Sequence, residues 1–111
     1  MNIDLAAMAD NVEQAEQMLK ILANKNRLMI LCSLQDGEMS VSELNEAVPL
    51  AQSALSQHLA ALRKAQIVAT RRESQTIYYR VVDENVVSIL ATLYGLFCKG
   101  NCVIRLGLCT W

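Results

Sequence analysis

Apolar residues recur along this chain at helical spacing, broken once, past residue 66, by a β-branched and aromatic run. Leu5, Met8, Val12, Ala15, Leu19 and Leu22 are separated by threes and fours, which predicts an amphipathic helix with a narrow apolar seam. Asn24 can cap a second helix, KNRLMILCSLQ, with Gly37 just past its end. That helix is apolar almost all round (Leu28, Met29, Ile30, Leu31, Cys32, Leu34) and is expected to be the central core helix. Ser40 or Ser42 starts a short third helix, SELNEAV, and Pro49 ends it or shapes the turn after it. A fourth helix is expected over Gln52–Ala65, with Leu55, Leu59 and Leu62 on one face. Ser53, Ser56, Gln57, Ala60, Arg63 and Lys64 form the opposite face. IVATR and TIYYRVV then read as two strands around Arg72–Glu73–Ser74–Gln75. Asp83 can cap a last helix, ENVVSILATLYGLFC, whose apolar arc is too wide for a lone surface helix. The expected fold is mainly α with a small β-hairpin, in the order α-α-α-α-β-β-α.

Composition narrows the class. The chain has 111 residues, 53% hydrophobic and 19% charged, which suits one globular domain with a real core. That domain is expected over residues 1–100, followed by an apolar tail at 101–111. No apolar run reaches the ~18 residues a membrane span needs. Residues 1–10 lack the basic start and apolar block of a signal peptide. A cytoplasmic location with no membrane partner is therefore expected.

Charge changes the picture more. Residues 1–50 hold Lys20, Lys25 and Arg27 against eight carboxylates. Residues 51–80 hold Arg63, Lys64, Arg71, Arg72 and Arg80 against Glu73 alone. A mildly acidic chain thus concentrates its positive charge on Leu50–Val82, the tight helix-turn-helix exit and the hairpin. That is the layout of a DNA-reading head, a recognition helix followed by a wing. A helix in the major groove can offer Ser, Gln and Arg to base edges and phosphates. Gln52, Ser53, Ser56, Gln57, Arg63 and Lys64 are the candidates on the helix. Arg71, Arg72 and Arg80 suit the phosphate backbone or the minor groove. The competing reading, a solvated helix face beside an ordinary charged hairpin, does not account for the turn spacing, the hairpin and the charge excess together. His58, the one histidine, joins the DNA-binding set, although it sits on the flank of the leucine face and a structural role near the helix–wing junction is favoured.

The cysteines raise a separate question. Four in a cytoplasmic chain are not by default a disulfide framework. Cys32, in the core helix, reads first as a small buried hydrophobe. Cys98 ends the last helix, and Cys102 and Cys109 lie in the tail. Metal sites need clustered Cys, His or carboxylates, and no such cluster is expected here. No CxxC is present and the histidine is in a different helix from every cysteine, so no enzyme and no cofactor are expected.

The segment LAQSALSQHLAALRKAQIVATRRESQTIYYRV resembles the winged helix-turn-helix of ArsR/SmtB-type bacterial regulators. The resemblance spans roughly residues 8–98 and includes ILANKNRLMILCSL. Within that family it is most similar to the HlyU/BigR/SqrR-type thiol-sensing branch, in SQHLAALR, in the wing and in two cysteines. The resemblance implies a homodimer joined by its first and last helices, reading an inverted-repeat operator in double-stranded DNA. It also implies that Cys32 and Cys98 form a thiol pair whose redox or persulfide state alters DNA affinity. The family's metal sensors carry a cysteine pair around the third helix, where this chain has Met39 to Glu43, and a metal-responsive repressor is the alternative. A thiol redox or protein-interaction module without DNA binding is the alternative from another class. Two departures bear on local structure. Ala51 stands where the family usually has a serine N-cap. Gln66 stands where it often has glycine, so the exit turn of the recognition helix is expected to differ. The tail also departs from the family, and its Cys102 is a competing partner for Cys32.

Overall fold

A computed structural model describes residues 2–99; residue 1 and residues 100–111, with Cys102, Cys109 and the expected apolar tail, lie outside them. The helices are α1 (Leu5–Leu22), α2 (Lys25–Ser33), α3 (Val41–Ala47), α4 (Gln52–Lys64) and α5 (Glu84–Tyr94). The strands are β1 (Met39–Ser40), β2 (Val68–Glu73) and β3 (Thr76–Val81). A 3₁₀ turn, Leu34–Asp36, extends α2, and one π turn, Gly95–Lys99, follows α5. This is a mainly helical winged helix-turn-helix.

Local chemistry starts most of these helices. The carboxylate of Asp4 accepts from the Ala6 and Ala7 N–H groups, Asn24 from Asn26 and Arg27, and Asp83 from Asn85 and Val86. Ser40, not Ser42, starts α3, through a reciprocal capping box. Its hydroxyl accepts from the Glu43 N–H at 3.2 Å, and the Glu43 carboxylate accepts from the Ser40 N–H at 2.9 Å. Only α4 lacks a side-chain cap, because Ala51 sits at its start and Ser53 does not take over.

The exit of α4 corrects one expectation. Gln66 adopts a left-handed φ of 63°, so the turn keeps the geometry that glycine would favour. The Gln66 N–H donates to the Arg63 carbonyl at 2.9 Å and the Ile67 N–H to the Leu62 carbonyl at 3.0 Å. That pair of bonds is a Schellman motif, and Leu62 and Ile67 supply its apolar contact, both buried. The motif therefore survives the loss of glycine at some conformational cost.

Other differences are of extent. The hairpin turn is the two residues Ser74–Gln75, because β2 runs on to Glu73, two residues further than expected, while β3 starts at Thr76 as expected and ends one residue short, at Val81; Ser74 carries a φ of 59°. The helix expected to reach Cys98 ends as α-helix at Tyr94. The sheet has three strands in the order β1-β3-β2, all antiparallel. Two-residue β1 was not expected, because no pattern of period two fits in so short a strand. It pairs Met39 with Tyr79 and Ser40 with Tyr78.

The core joins Leu22 of α1, Ile30 and Leu31 of α2, Leu44 of α3, Leu55, Leu59 and Leu62 of α4, Ile67 and Val68 at the wing base, and Val86 and Leu90 of α5. The second helix is less central than its composition suggested, since Met29 and Cys32 are exposed. Of the eighteen residues of α1 only Leu22 is buried, and Leu5, Met8, Val12 and Leu19 remain open. On and after α5, Val87, Tyr94, Leu96 and Phe97 are open as well.

Replacing Gln66 by glycine relieves the left-handed strain and is expected to raise unfolding free energy by about 0.5–1 kcal/mol. A urea titration with unchanged m-value measures it; a loss of stability would contradict the strained-turn account.

Candidate nucleic-acid interface

Helices α3 and α4 are joined by a short turn through Val48 to Ala51. Asn45 pins that turn from inside: its Nδ2 donates to the Leu50 carbonyl at 2.8 Å and to the Val48 carbonyl at 3.4 Å. The sequence reading missed Asn45, whose only signal is an amide side chain four residues before Pro49. With the turn held, α4 buries one face completely. Leu55 and Leu62 are 0% exposed and Leu59 is 1% exposed. Gln52, Ser53, Ser56, Gln57, Arg63 and Lys64 all lie exposed on the rest of the helix. A cleft of about 490 Å³ runs where this face meets the wing, lined by Ser56, Ala60, Arg63 and Lys64 of α4 with Val41 and Tyr79.

His58 lies apart from that face. It is half-buried, and its Nδ1 accepts a hydrogen bond from Nε of Arg27 at 3.3 Å. Nη1 of the same arginine donates to the Ile21 carbonyl at 3.3 Å. The histidine thus ties α4 to the start of α2 and the end of α1, rather than to the helix–wing junction. Arg27 had no role in the sequence reading, since its partners lie in other elements.

The three wing arginines differ. Arg80, on β3, and Arg72, near the tip, are exposed, and Nε of Arg72 donates to the Ser74 carbonyl at 3.1 Å. Arg71 is engaged within the protein. Its Nε donates to both carboxylate oxygens of Glu38, at 3.2 and 3.1 Å, and its Nη2 also reaches Glu38. Its Nη1 donates to Glu73 at 2.8 Å. The guanidinium carbon stands 4.7 Å from the centroid of the Tyr78 ring, a cation–π distance. Hydrogen bonding to Arg71 is the first cause that holds the Glu38 carboxyl below its ordinary range, with the charges of Arg71 and Arg80 adding. The same contacts raise the guanidinium further. A group raised on one side and lowered on the other keeps this pair ionised at neutral pH; it is lost only as pH falls through the depressed Glu38 value.

Cys32 and Cys98 are both free thiols and both open to solvent. Cys32 borders a cleft of about 530 Å³ shared with Gln35, Asp36, Leu90 and Tyr94. Partial burial raises the Cys32 thiol above its ordinary value, and the charge of Cys98 pushes the same way. Among the described residues no three His, Cys, Asp or Glu side chains come together as a metal site. No helix among them is long and apolar enough to cross a membrane.

Comparison with known proteins bears on this site directly. Residues 24–70 match the family described as bacterial regulatory protein, arsR family. The chain is 44% identical over 99 residues to the transcriptional activator HlyU of Vibrio cholerae, covering 89% of this chain and 92% of that one. It is 42% identical to the biofilm growth-associated repressor of Agrobacterium fabrum, over 86% of this chain and 82% of that one. The solved structure of reduced HlyU from Vibrio cholerae superposes with a TM-score of 0.79 at 45% identity, covering 84% of this chain and 98% of that chain.

His58→Ala is expected to lower stability by about 1 kcal/mol, the worth of one partly buried hydrogen bond, without changing which DNA is chosen. Gln57→Ala is expected to leave stability within about 0.5 kcal/mol and to relax discrimination at one base position by about 1–3 kcal/mol. Thermal melts and selection of duplexes from a random pool separate the two; interchanged outcomes would contradict the placement of these side chains.

Proposed function

The chain is a transcriptional regulator of the arsR family, and on that premise we propose that it reads an inverted repeat in double-stranded DNA as a homodimer, with affinity set by the state of Cys32 and Cys98. The observation that carries the DNA reading is the outward face of α4. Ser53, Ser56 and Gln57 offer short polar groups at the N-terminal half of a helix whose opposite face is buried. Donors and acceptors of that size suit base edges in the major groove. Arg63 and Lys64 close the helix with charge, and Arg72 and Arg80 extend it along the wing. Those charges face the phosphates on either side of the groove and supply the part of affinity that salt weakens. Such a protein works beside bacterial DNA, in the cytoplasm.

The dimer reading rests on the open apolar surface of the first and last helices. Leu5, Met8, Val12 and Leu19 stand on α1, and Val87, Tyr94, Leu96 and Phe97 on or just after α5. A large unpartnered apolar surface marks a protein interface. A two-fold axis through it carries two copies of α4, and helix-turn-helix dimers space these about one turn of DNA apart.

Cys32 borders a cleft that Leu90 and Tyr94 of α5 also line, and Cys98 directly follows the exposed Leu96 and Phe97. Cys32 lies in the last turn of α2, and Cys98 lies in the turn that follows α5. Closing a disulfide removes one hydrogen from each thiol and forms the S–S bond. The two electrons and two protons pass to an oxidant such as peroxide, which leaves as two waters. A raised Cys32 pKa keeps that thiol protonated at neutral pH, so closure waits for a reactive oxidant. A bridge between these elements shifts the helix-turn-helix against the dimer axis and so changes the spacing of the two α4 helices.

A duplex selected from a random pool by the reduced protein tests this reading. Mobility shifts with reduced and peroxide-treated protein are expected to differ by at least about tenfold in affinity, equivalent to about 1.4 kcal/mol. Cys32→Ser is expected to hold the reduced affinity under both treatments. Equal affinity of the native protein in both states would overturn the switch; no retarded duplex at all would overturn the DNA reading.

A further inference from the structure

We propose that Arg71 is a positioning residue of the wing, joining it to the helix-turn-helix through Glu38, and that it makes no phosphate contact of its own. The inference rests on the DNA reading above. It starts from how little holds the outer wing. Val68 at the start of β2 is buried, and Tyr79 and Val81 of β3 pack partly against the core. From Arg71 to Ile77 every residue is exposed, so burial does not orient this part of the hairpin. What remains is the sheet itself and the side chains that cross it.

The register puts Ser40, Tyr78 and Arg71 in one row across the three strands. Residues opposite each other share a face of a sheet, so Arg71 lies over Tyr78 on the way to β1. Glu38 stands two residues before Ser40, the cap of α3. A bidentate arginine–carboxylate contact is directional as well as attractive. This one therefore fixes the angle of β2 against the segment that launches the helix-turn-helix, and Glu73 holds the guanidinium from the other side. An isolated surface ion pair contributes little, but a bidentate pair within a network is the exception.

The same geometry argues against a phosphate contact. Nε and Nη2 are directed at Glu38 and Nη1 at Glu73. A phosphate at that guanidinium meets two carboxylates already seated there. Among the described residues no carboxylate forms an ion pair with Arg72 or Arg80, and their placement over DNA depends on the angle that Arg71 sets.

The two roles predict opposite signs for one variant. Glu38→Ala removes a negative charge from beside the DNA and releases Arg71. A phosphate-contacting Arg71 would then bind more tightly. A positioning Arg71 loses its anchor, and affinity for the selected duplex is expected to fall about three- to tenfold. Arg71→Lys keeps the charge but not the fork, and is expected to bind as weakly as Arg71→Ala. The double variant Glu38→Ala, Arg71→Ala is expected to bind no more weakly than Arg71→Ala alone. Both residues lie at the surface, and circular dichroism melts check that each variant is folded. Tighter or unchanged binding by folded Glu38→Ala, or native affinity in Arg71→Lys, overturns the proposal while leaving the DNA reading intact. Failure of the native protein to bind any duplex overturns both.

Discussion

The complete burial of one face of α4 is the constraint on which the functional surface depends. Leu55, Leu59 and Leu62 meet Ile30 and Leu31 of α2, Leu44 of α3 and Val86 and Leu90 of α5 in one cluster. Truncating a leucine in such a place costs about 2–5 kcal/mol, a large fraction of the stability of a small domain. The helix therefore cannot rotate about its axis without opening the core. Its opposite face is presented to solvent by the same packing, and the positions of Ser53, Ser56 and Gln57 follow from it. The wing inherits its origin from this anchoring too. The Schellman turn brings Ile67 and Val68 back onto the core directly after α4, and the Ile67 carbonyl accepts from Val82 at 2.9 Å to close the hairpin base.

Electrostatics then divides the positive charge of residues 51–80 into two jobs. Counting arginines along the chain treats Arg71, Arg72 and Arg80 alike. In the folded chain Arg71 is neutralised by Glu38 and Glu73, and Glu38 comes from the acidic half of the sequence. The charge left to face a phosphate backbone is smaller than the local count suggests, and it is divided between the end of α4 and the rest of the wing. Affinity for DNA in such an arrangement depends on where a few charges stand, which makes the angle of the wing a controlling variable.

Much of this was legible in the sequence because it is local. Helical spacing located α1 and α4, capping residues located the starts of α2 and α5, and β-branched residues located the hairpin. The outward face of α4 followed from its leucines. The features that escaped are those made between distant segments. Two-residue β1 exists only because β3 is there to pair with it. The links from Arg71 to Glu38 and from Arg27 to His58 each span more than thirty residues and leave no periodic trace. Gln66 misled for a different reason. The propensity argument against a left-handed glutamine is sound, but two hydrogen bonds and an apolar contact outweigh it at this turn. Composition also overstated the burial of α2, whose Cys32 is open and borders a cleft shared with Gln35, Asp36 and α5.

The central claim is that two copies of α4 enter successive major grooves on one side of a duplex. Methylation interference at guanine N7 tests it most directly, since that atom lies in the major groove. On a duplex selected by the reduced protein, the account predicts two clusters of interference on one face, about 10–10.5 base pairs apart centre to centre. A single cluster, or interference confined to the minor-groove nitrogens of adenine, would contradict it.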